Sequence, residues 1–306
     1  MSEDLRPLMF AIAYRMVGSV SDAEDLVQEA YLRMAQATAD GTEVTSSKAY
    51  LTTVVTRLAI DHLRSARVRR ETYPGPWMPE PVVERLDEAP AESAELADSL
   101  SIAFLVLLEQ LSPTERAVFL LHDVFGYRFD EIAAAVDRSE AGCRQIAVRA
   151  RRRLEPDRPR FDVDPRERAR IAQQFLAAFR DGDIEELLAL VSDDAVFVGD
   201  GGGRAAALPE PIHGRDRVAH LLRAFANQNQ RLHLSFEPAL VNAQPGAVVR
   251  DPDGLVVTVL ALDIAGGAIQ TIRSIVNPEK IAHLGAVSPL TRRRGGRVGR
   301  VGPDPG

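Results

Sequence analysis

One cysteine, one tryptophan and no long apolar run are what this chain of 306 residues has to offer in three places where other protein classes are rich. Cys143 alone cannot form an intramolecular disulfide, and without CxxC or His/Cys clusters there is no zinc signature, so no metal is expected. No run of about eighteen apolar residues occurs, so no membrane span is expected. The opening "MSEDLRPLMF" places acids where a secretory signal needs a basic and then an apolar stretch, which points to a cytoplasmic protein. What is present is 45% hydrophobic and 26% charged residues, enough for two or three domains with cores of their own.

The net charge of −7 hides a strong local segregation. Residues 57–70 carry Arg57, Arg64, Arg67, Arg69 and Arg70 against Asp61, and residues 138–153 carry six arginines against Glu140. Between them, residues 71–98 hold eight acids and only Arg85, with Pro74, Pro76, Pro79, Pro81 and Pro90 interrupting any helix.

Residues 1–70 read as all-helical. An apolar-patterned helix runs to about Val17. A second begins at Ser21, where Ser21 and Glu24 have the spacing of a capping box, and its stripe of Leu26, Val27, Ala30, Tyr31 and Met34 leaves Asp22, Asp25 and Glu29 on another face. In the third, "SSKAYLTTVVTRLAIDHLRSARVRRE", Leu51, Val54, Val55 and Leu58 line one side, while Thr52, Thr53, Thr56, Arg57, Asp61 and Arg64 form a polar, then basic, exposed side.

Beyond the acidic linker a helical stretch at about Leu100–Leu111 leads to three further helix starts. Ser112 caps with Pro113 and Glu115 behind it, Asp130 can open "EIAAAV", and Ser139 can cap the last helix. Two short helices joined by a tight turn describe a helix-turn-helix. Its second helix turns Cys143, Ile146 or Ala147, Ala150 and Leu154 inward, leaving Arg144, Gln145, Arg149, Arg152 and Arg153 outward, where arginine can bond phosphates and guanine edges.

A proline- and charge-rich hinge, residues 155–164, opens a region of different character. "RERARIAQQFLAAFRDGDIEELLALVSDDAVFV" reads as two helices, "GRDRVAHLLRAFANQ" as another, and four later segments as strands of an antiparallel sheet. The expected fold class is multidomain: two all-α modules, at 1–70 and 100–155, joined by the linker at 71–99 and followed by an α+β domain at 165–286. The basic, glycine-rich residues 287–306 are expected to be a disordered tail.

The ordered set of segments resembles the bacterial sigma-70 family, specifically the extracytoplasmic-function (ECF) class. "DAEDLVQEAYLRM" is similar to the region 2 helix that docks on the β′ coiled coil of core RNA polymerase, which implies a core-binding role for Asp22, Asp25, Gln28 and Glu29. "AYLTTVVTRLAIDHLRS" is similar to the helix that melts and reads the −10 element, implying Thr53, Arg57, Asp61 and Arg64 as DNA contacts. The helix-turn-helix looks like region 4, the −35 reader that also meets the β flap, implying Arg144, Gln145, Arg149 and Arg152. In such factors the linker enters the polymerase cleft, in space that nascent RNA will need.

The last region resembles a SnoaL-like domain, a cone-shaped α+β fold related to nuclear transport factor 2, as in the SigJ-type subgroup. Three signatures carry the likeness: "WMPEP" (Trp77, Pro79, Glu80, Pro81 around Met78), "DGGGR" (Asp200, Gly201, Gly202, Gly203, Arg204) and "NPEK" (Asn277, Pro278, Glu279, Lys280). The subgroup more often has leucine at the position of Met78 and lysine at that of Arg204. Trp77, set between prolines in an acidic linker, has no local core and needs a partner surface, so the three signatures are expected to dock on one another. The resemblance implies a sigma factor modulated in cis by this domain, with no catalytic residue and no cofactor. An unidentified small molecule could occupy an apolar pocket in the cone. The alternative is a helix-turn-helix regulator whose SnoaL-like domain binds a ligand or catalyses with Asp200, His213, His220, His233 or Asp263. The region 2 module speaks against it.

Overall fold

The computed structural model describes residues 3–86, 94–157 and 163–291, and of residues 3, 66–71, 94 and 95 the backbone alone. Helix α1 (Arg6–Val17) ends on Gly18 in the left-handed conformation, φ 70°, and α2 (Val20–Ala39) follows almost at once. Its N-cap is Ser19, whose hydroxyl accepts from the Asp22 amide, so the expected Ser21–Glu24 box does not form. Helix α3 spans Ser47–Glu71; the side chains of Arg67, Arg69 and Arg70 lie outside the described residues.

After a short helix, α4 (Ala94–Asp98), Ser101 caps α5 (Ile102–Leu107). The Ser112 capping box at α6 (Pro113–Phe119) forms with both bonds. Helix α7 (Phe129–Val136) is capped at Arg128, two residues before the expected Asp130 cap, because Glu131 reaches back to the Arg128 amide at 2.9 Å. Asp137 makes the tight turn at φ 53°, and Ser139 caps α8 (Glu140–Leu154). Cys143, Ala147, Ala150 and Leu154 are the buried stripe of α8.

The C-terminal domain begins with α9 (Pro165–Asp181) and α10 (Ile184–Leu190). The chain then becomes strand β2 (Val191–Asp200), so the "SDDAVFV" expected at the end of a helix is sheet. Strand β3 (Ile212–His213), helix α11 (Arg215–Leu232) and strands β4 (Ser235–Val241), β5 (Gln244–Arg250), β6 (Val256–Ala265) and β7 (Ala268–Ile275) complete it, with a short helix, α12 (Pro278–Ile281), after the sheet. The sheet order is β1-β4-β5-β6-β7-β2-β3, antiparallel except that β2 runs parallel to β7. Its first strand, β1 (Val83–Glu84), comes from the linker: Val83 pairs with Val241 and Glu84 with Leu240.

Three cores result. The helices of the two N-terminal modules share one, with Met9, Tyr14, Leu51, Leu108, Leu120 and Ile132 among its buried members. One face of the sheet packs on α9 and α11 through Phe175, Leu222, Leu262 and Ile272. The other face packs Val241, Val259, Ala261 and Ile275 against Met78 of the linker and Ile102 of α5. Residues 292–306 lie outside the described residues, but residues 287–291 do not begin a tail. Val287 bridges to Val256, the Ser288 hydroxyl donates to Asp251 at 2.5 Å, and Thr291 is buried.

Asn242, fully buried on the β4–β5 turn at φ 52°, joins all the parts. Its carbonyl oxygen accepts from the Val82 amide at 3.0 Å, while its amide donates to the Tyr14 hydroxyl at 2.7 Å and the Leu100 carbonyl at 2.9 Å. Burial drives the Tyr14 phenol well above the usual tyrosine range, so it stays protonated and donates to the Glu80 carbonyl at 2.6 Å. Replacing Asn242 with Ala removes the side-chain partner of the Val82 amide and the Leu100 carbonyl and one of the two bonds of the Tyr14 hydroxyl, and is expected to lower stability on the order of 3 kcal/mol. Urea unfolding of the full chain checks this, and an unchanged midpoint would contradict it.

Candidate functional site

The three signatures meet around one carboxylate. Asp200, at the end of β2, has no solvent exposure. Its backbone carbonyl accepts from the amides of Val276 and Asn277 at 2.9 and 3.0 Å, which fixes "NPEK" beside "DGGGR". One carboxylate oxygen accepts from the Tyr73 hydroxyl at 2.5 Å, and the other from the Met78 amide at 2.8 Å and the Lys280 ammonium at 2.7 Å. Lys280 also donates to the Met78 carbonyl and sits 4.5 and 4.7 Å from the ring centres of Tyr73 and Trp77. Burial first, and the Asp200 charge second, push the Tyr73 phenol far above its usual range, which keeps the proton it donates. Asn277 caps α12 through the Glu279 amide and donates to Tyr73 at 2.9 Å, Pro278 takes the first helical position, and Glu279 pairs with Arg204 at 3.1 Å on the surface.

Glycine is required here by contact. A Cβ on Gly202, φ 55°, would overlap the Asn277 amide and the Tyr73 hydroxyl, and one on Gly203 would come within 2.9 Å of Pro74. The other side of the linker meets region 2. The Trp77 ring lies over Gly18, where a Cβ would be 2.8 Å away, with Pro79 beside it, and Glu80 donates its backbone amide to the Gly18 carbonyl at 2.8 Å. The Glu80 carboxylate accepts from the Ser19 hydroxyl and the Val20 amide, so it sits at the N-terminus of α2 where the helix dipole favours an anion. His283 donates to the Pro81 carbonyl at 2.9 Å.

On α2, Asp25 and Gln28 are exposed, Asp22 lies 3.4 Å from His62, and Glu29 pairs with Arg33 at 2.7 Å. On α8, Gln145, Arg149 and Arg152 are exposed, and Arg144 bonds Glu140 at 2.8 Å. The α3 face differs from its expected exposure. Thr52 and Thr56 are buried, Thr52 bonds the Tyr127 hydroxyl at 2.8 Å, and Thr53 is half-buried. Arg57 donates to the Ala134 and Ala135 carbonyls at 2.7 and 3.1 Å, so it caps the C-terminus of α7. Arg57, Asp61 and Arg64 are exposed among the four α3 candidates, the last two paired at 3.2 Å. Two buried arginines add to this contact: Arg15 reaches Ser99 and the Leu96 carbonyl, and Arg116 reaches the Met16 and Leu108 carbonyls. On the opposite side of the sheet, α9 and α11 cover a cavity of about 420 Å³.

With the two helical modules, the signature-bearing linker and the cone-shaped domain in place, the chain belongs to the ECF class of RNA polymerase sigma factors. Residues 1–69 match the Sigma-70 region 2 family, residues 101–154 the Sigma-70 region 4 family and residues 172–272 the SnoaL-like domain family. The chain is 36% identical over 308 residues to the ECF RNA polymerase sigma factor SigJ of Mycobacterium tuberculosis, covering 97% of this chain and 96% of that one. It is 32% identical to the probable ECF RNA polymerase sigma factor SigI of Mycobacterium tuberculosis, covering 92% and 93%. The crystal structure of Mycobacterium tuberculosis SigJ superposes with a TM-score of 0.71 at 34% identity, covering 94% of this chain and 98% of that one. Among the described residues no helix is long and apolar enough to cross a membrane.

Sequence reasoning missed Tyr73, Asn242, Tyr14 and His283. Tyr73 lies four residues before Trp77 and carries no pattern of its own, and Asn242 reads only as a turn residue in "VNAQ". Replacing Gly202 with Ala is expected to undock the linker, with Trp77 emission shifting to the red and residues 72–86 becoming protease-sensitive while far-UV circular dichroism is kept. Since Trp77 is the only tryptophan, its emission reads docking directly, and unchanged emission and protection would contradict the assignment.

Proposed function

We propose that this sigma factor is held closed by its own C-terminal domain, and that core RNA polymerase selects an open form in which region 2 and region 4 separate. The observation that carries this is the burial of Thr52 and Thr56 and the bonds from Arg57 to α7: the first half of the α3 polar side packs on the module assigned to the −35 element and holds the Arg57 guanidinium there, while Asp61 and Arg64 stay exposed. Asp200 and Lys280 then act at a distance from DNA. By gripping Tyr73, Trp77 and Met78 they fix the linker, and the linker fixes the α1–α2 corner through Gly18 and Glu80.

In the open form, Asp22, Asp25, Gln28 and Glu29 offer acidic and polar groups to the β′ coiled coil, where charge complementarity mainly sets on-rate and register. Region 4 meets the β flap. Thr53, Arg57, Asp61 and Arg64 contact the −10 element, and Arg144, Gln145, Arg149 and Arg152 the −35 element. The protein works where polymerase and chromosome are, in the cytoplasm. The SnoaL-like domain serves as a latch and a small-molecule site rather than as an enzyme, a reading supported by the absence of Asp200, His213, His220, His233 and Asp263 from the residues lining its cavity. Opening from 1:99 to 99:1 requires polymerase to prefer the open form by about 5.5 kcal/mol.

Promoter-specific transcription reconstituted from the purified chain and core polymerase is the test. Asp25→Lys with Glu29→Lys is expected to weaken core association while the fold is kept, and unchanged association would remove the docking role. Arg149→Ala is expected to cost roughly 1–3 kcal/mol in −35 recognition, against an equal loss on all sequences if the contact is to phosphate alone. Lys280→Ala, which leaves a buried carboxylate without its cation, is expected to raise promoter output when core polymerase is limiting. Lower output would mean that the domain supports the active form, and the closed-state reading would fail.

A further inference from the structure

The cavity of the SnoaL-like domain is a built site for a neutral molecule. Five phenylalanines, Phe175, Phe179, Phe197, Phe225 and Phe236, supply its aromatic surface, and among the described residues no ionisable side chain lines it. Its volume, about 420 Å³, falls within the roughly 300–1,000 Å³ typical of small-molecule sites. Polar groups are few and differ in state. On the sheet, the Thr258 and Ser274 hydroxyls satisfy each other at 3.0 Å, and Thr258 also donates to the Ile275 carbonyl. On α11, the side-chain amide nitrogen of Asn229 is buried with no hydrogen-bond partner among the described residues, so the wall presents an unspent buried donor beside the exposed Gln228. A buried donor left unpaired is costly, and an accepting oxygen on an occupant relieves it.

The same walls continue into the latch. Gly199 lines the cavity and the next residue is Asp200; Ser274 and Val276 line it and the next is Asn277. The loop after "DGGGR" forms a rim through Ala206, Ala207 and Leu208. That loop is backed by the linker at both ends, since Gly203 faces Pro74 and Gly75 faces Pro209. Among the described residues the linker lines no part of the cavity itself but backs the loop that forms its rim.

We propose that this cavity binds a neutral, mostly hydrocarbon molecule carrying one hydrogen-bond-accepting oxygen, a ketone or lactone by class, and that occupancy stabilises the docked linker. The site stands on its own geometry; the consequence for transcription rests on the closed-state reading above. Because linkage is reciprocal, an occupant that favours the docked form must bind it more tightly than the undocked one.

Prodan, a neutral fluorescent naphthyl ketone, tests the proposal on the full-length chain without polymerase or DNA, so its outcome is independent of the transcription assay. A saturable blue shift is expected. It should be abolished by Leu221→Trp, which fills the cavity, in a chain that still unfolds cooperatively. Asn229→Leu should weaken prodan about tenfold while leaving displacement by naphthalene, which has no acceptor, unchanged. Prodan should bind more weakly to Gly202→Ala and to Trp77→Ala, and saturating prodan should slow proteolysis of residues 72–86 in the wild-type chain. No saturable shift, or a shift that survives Leu221→Trp, overturns the site, and equal loss of prodan and naphthalene in Asn229→Leu overturns the acceptor class. Equal affinity for docked and undocked chains overturns the coupling.

Discussion

A carboxylate with no solvent exposure is the constraint on which the closed structure depends. Asp200 gives up hydration completely, and in a low-dielectric setting that is tolerable only with a cation and hydrogen-bond donors in place. Lys280 from its own domain supplies the cation, but two of the donors, the Tyr73 hydroxyl and the Met78 amide, come from the linker. Undocking the linker therefore leaves the Asp200–Lys280 pair under-satisfied, and the domain holds the linker because its own buried charge requires it. Trp77 and Tyr73 add ring faces to the same ammonium, so with Asp200 and the Met78 carbonyl one cation serves four groups.

From that point the constraint passes outward in two directions. Glu80 caps α2 and Trp77 covers Gly18, which ties the linker to region 2. Val83 and Glu84 extend the sheet, and Asn242 bonds Val82, Tyr14 and Leu100, which ties linker, region 2 and the start of region 4 to one turn. The helical modules are thus held together at their edges as well as through their shared core. The closed form is selective in what it hides. Asp25, Gln28, Arg149 and Arg152 remain exposed, while Thr52, Thr56 and part of Arg57 are covered.

Local chemistry was legible wherever it was sufficient. The Ser112 box, the Ser139 cap and the inner stripe of α8 follow from caps and periodicity, whereas the docking of the three short signatures rests on the family resemblance together with the need of a lone tryptophan for a surface. The start of α2 was not, because two serines compete for the cap and the deciding carboxylate, Glu80, lies sixty residues away in sequence. The α3 face was misjudged for a related reason: threonine fits both a DNA-contacting surface and a polar interface, and only the presence of Tyr127 opposite Thr52 distinguishes them. Asn242 and Tyr73 act through tertiary partners alone, so no spacing announces them. "SDDAVFV" reads as helix or strand until its pairing with β7 decides.

The distance between region 2 and region 4 in solution tests the closed-state account most directly. Spin labels at Thr42→Cys and Glu155→Cys, both exposed positions, in a Cys143→Ser background report it by double electron–electron resonance on the full chain. The account predicts one short, narrow distance for the free protein and a longer one once core RNA polymerase is bound. A broad or long distribution in the free protein, or a distance that core polymerase leaves unchanged, would contradict it.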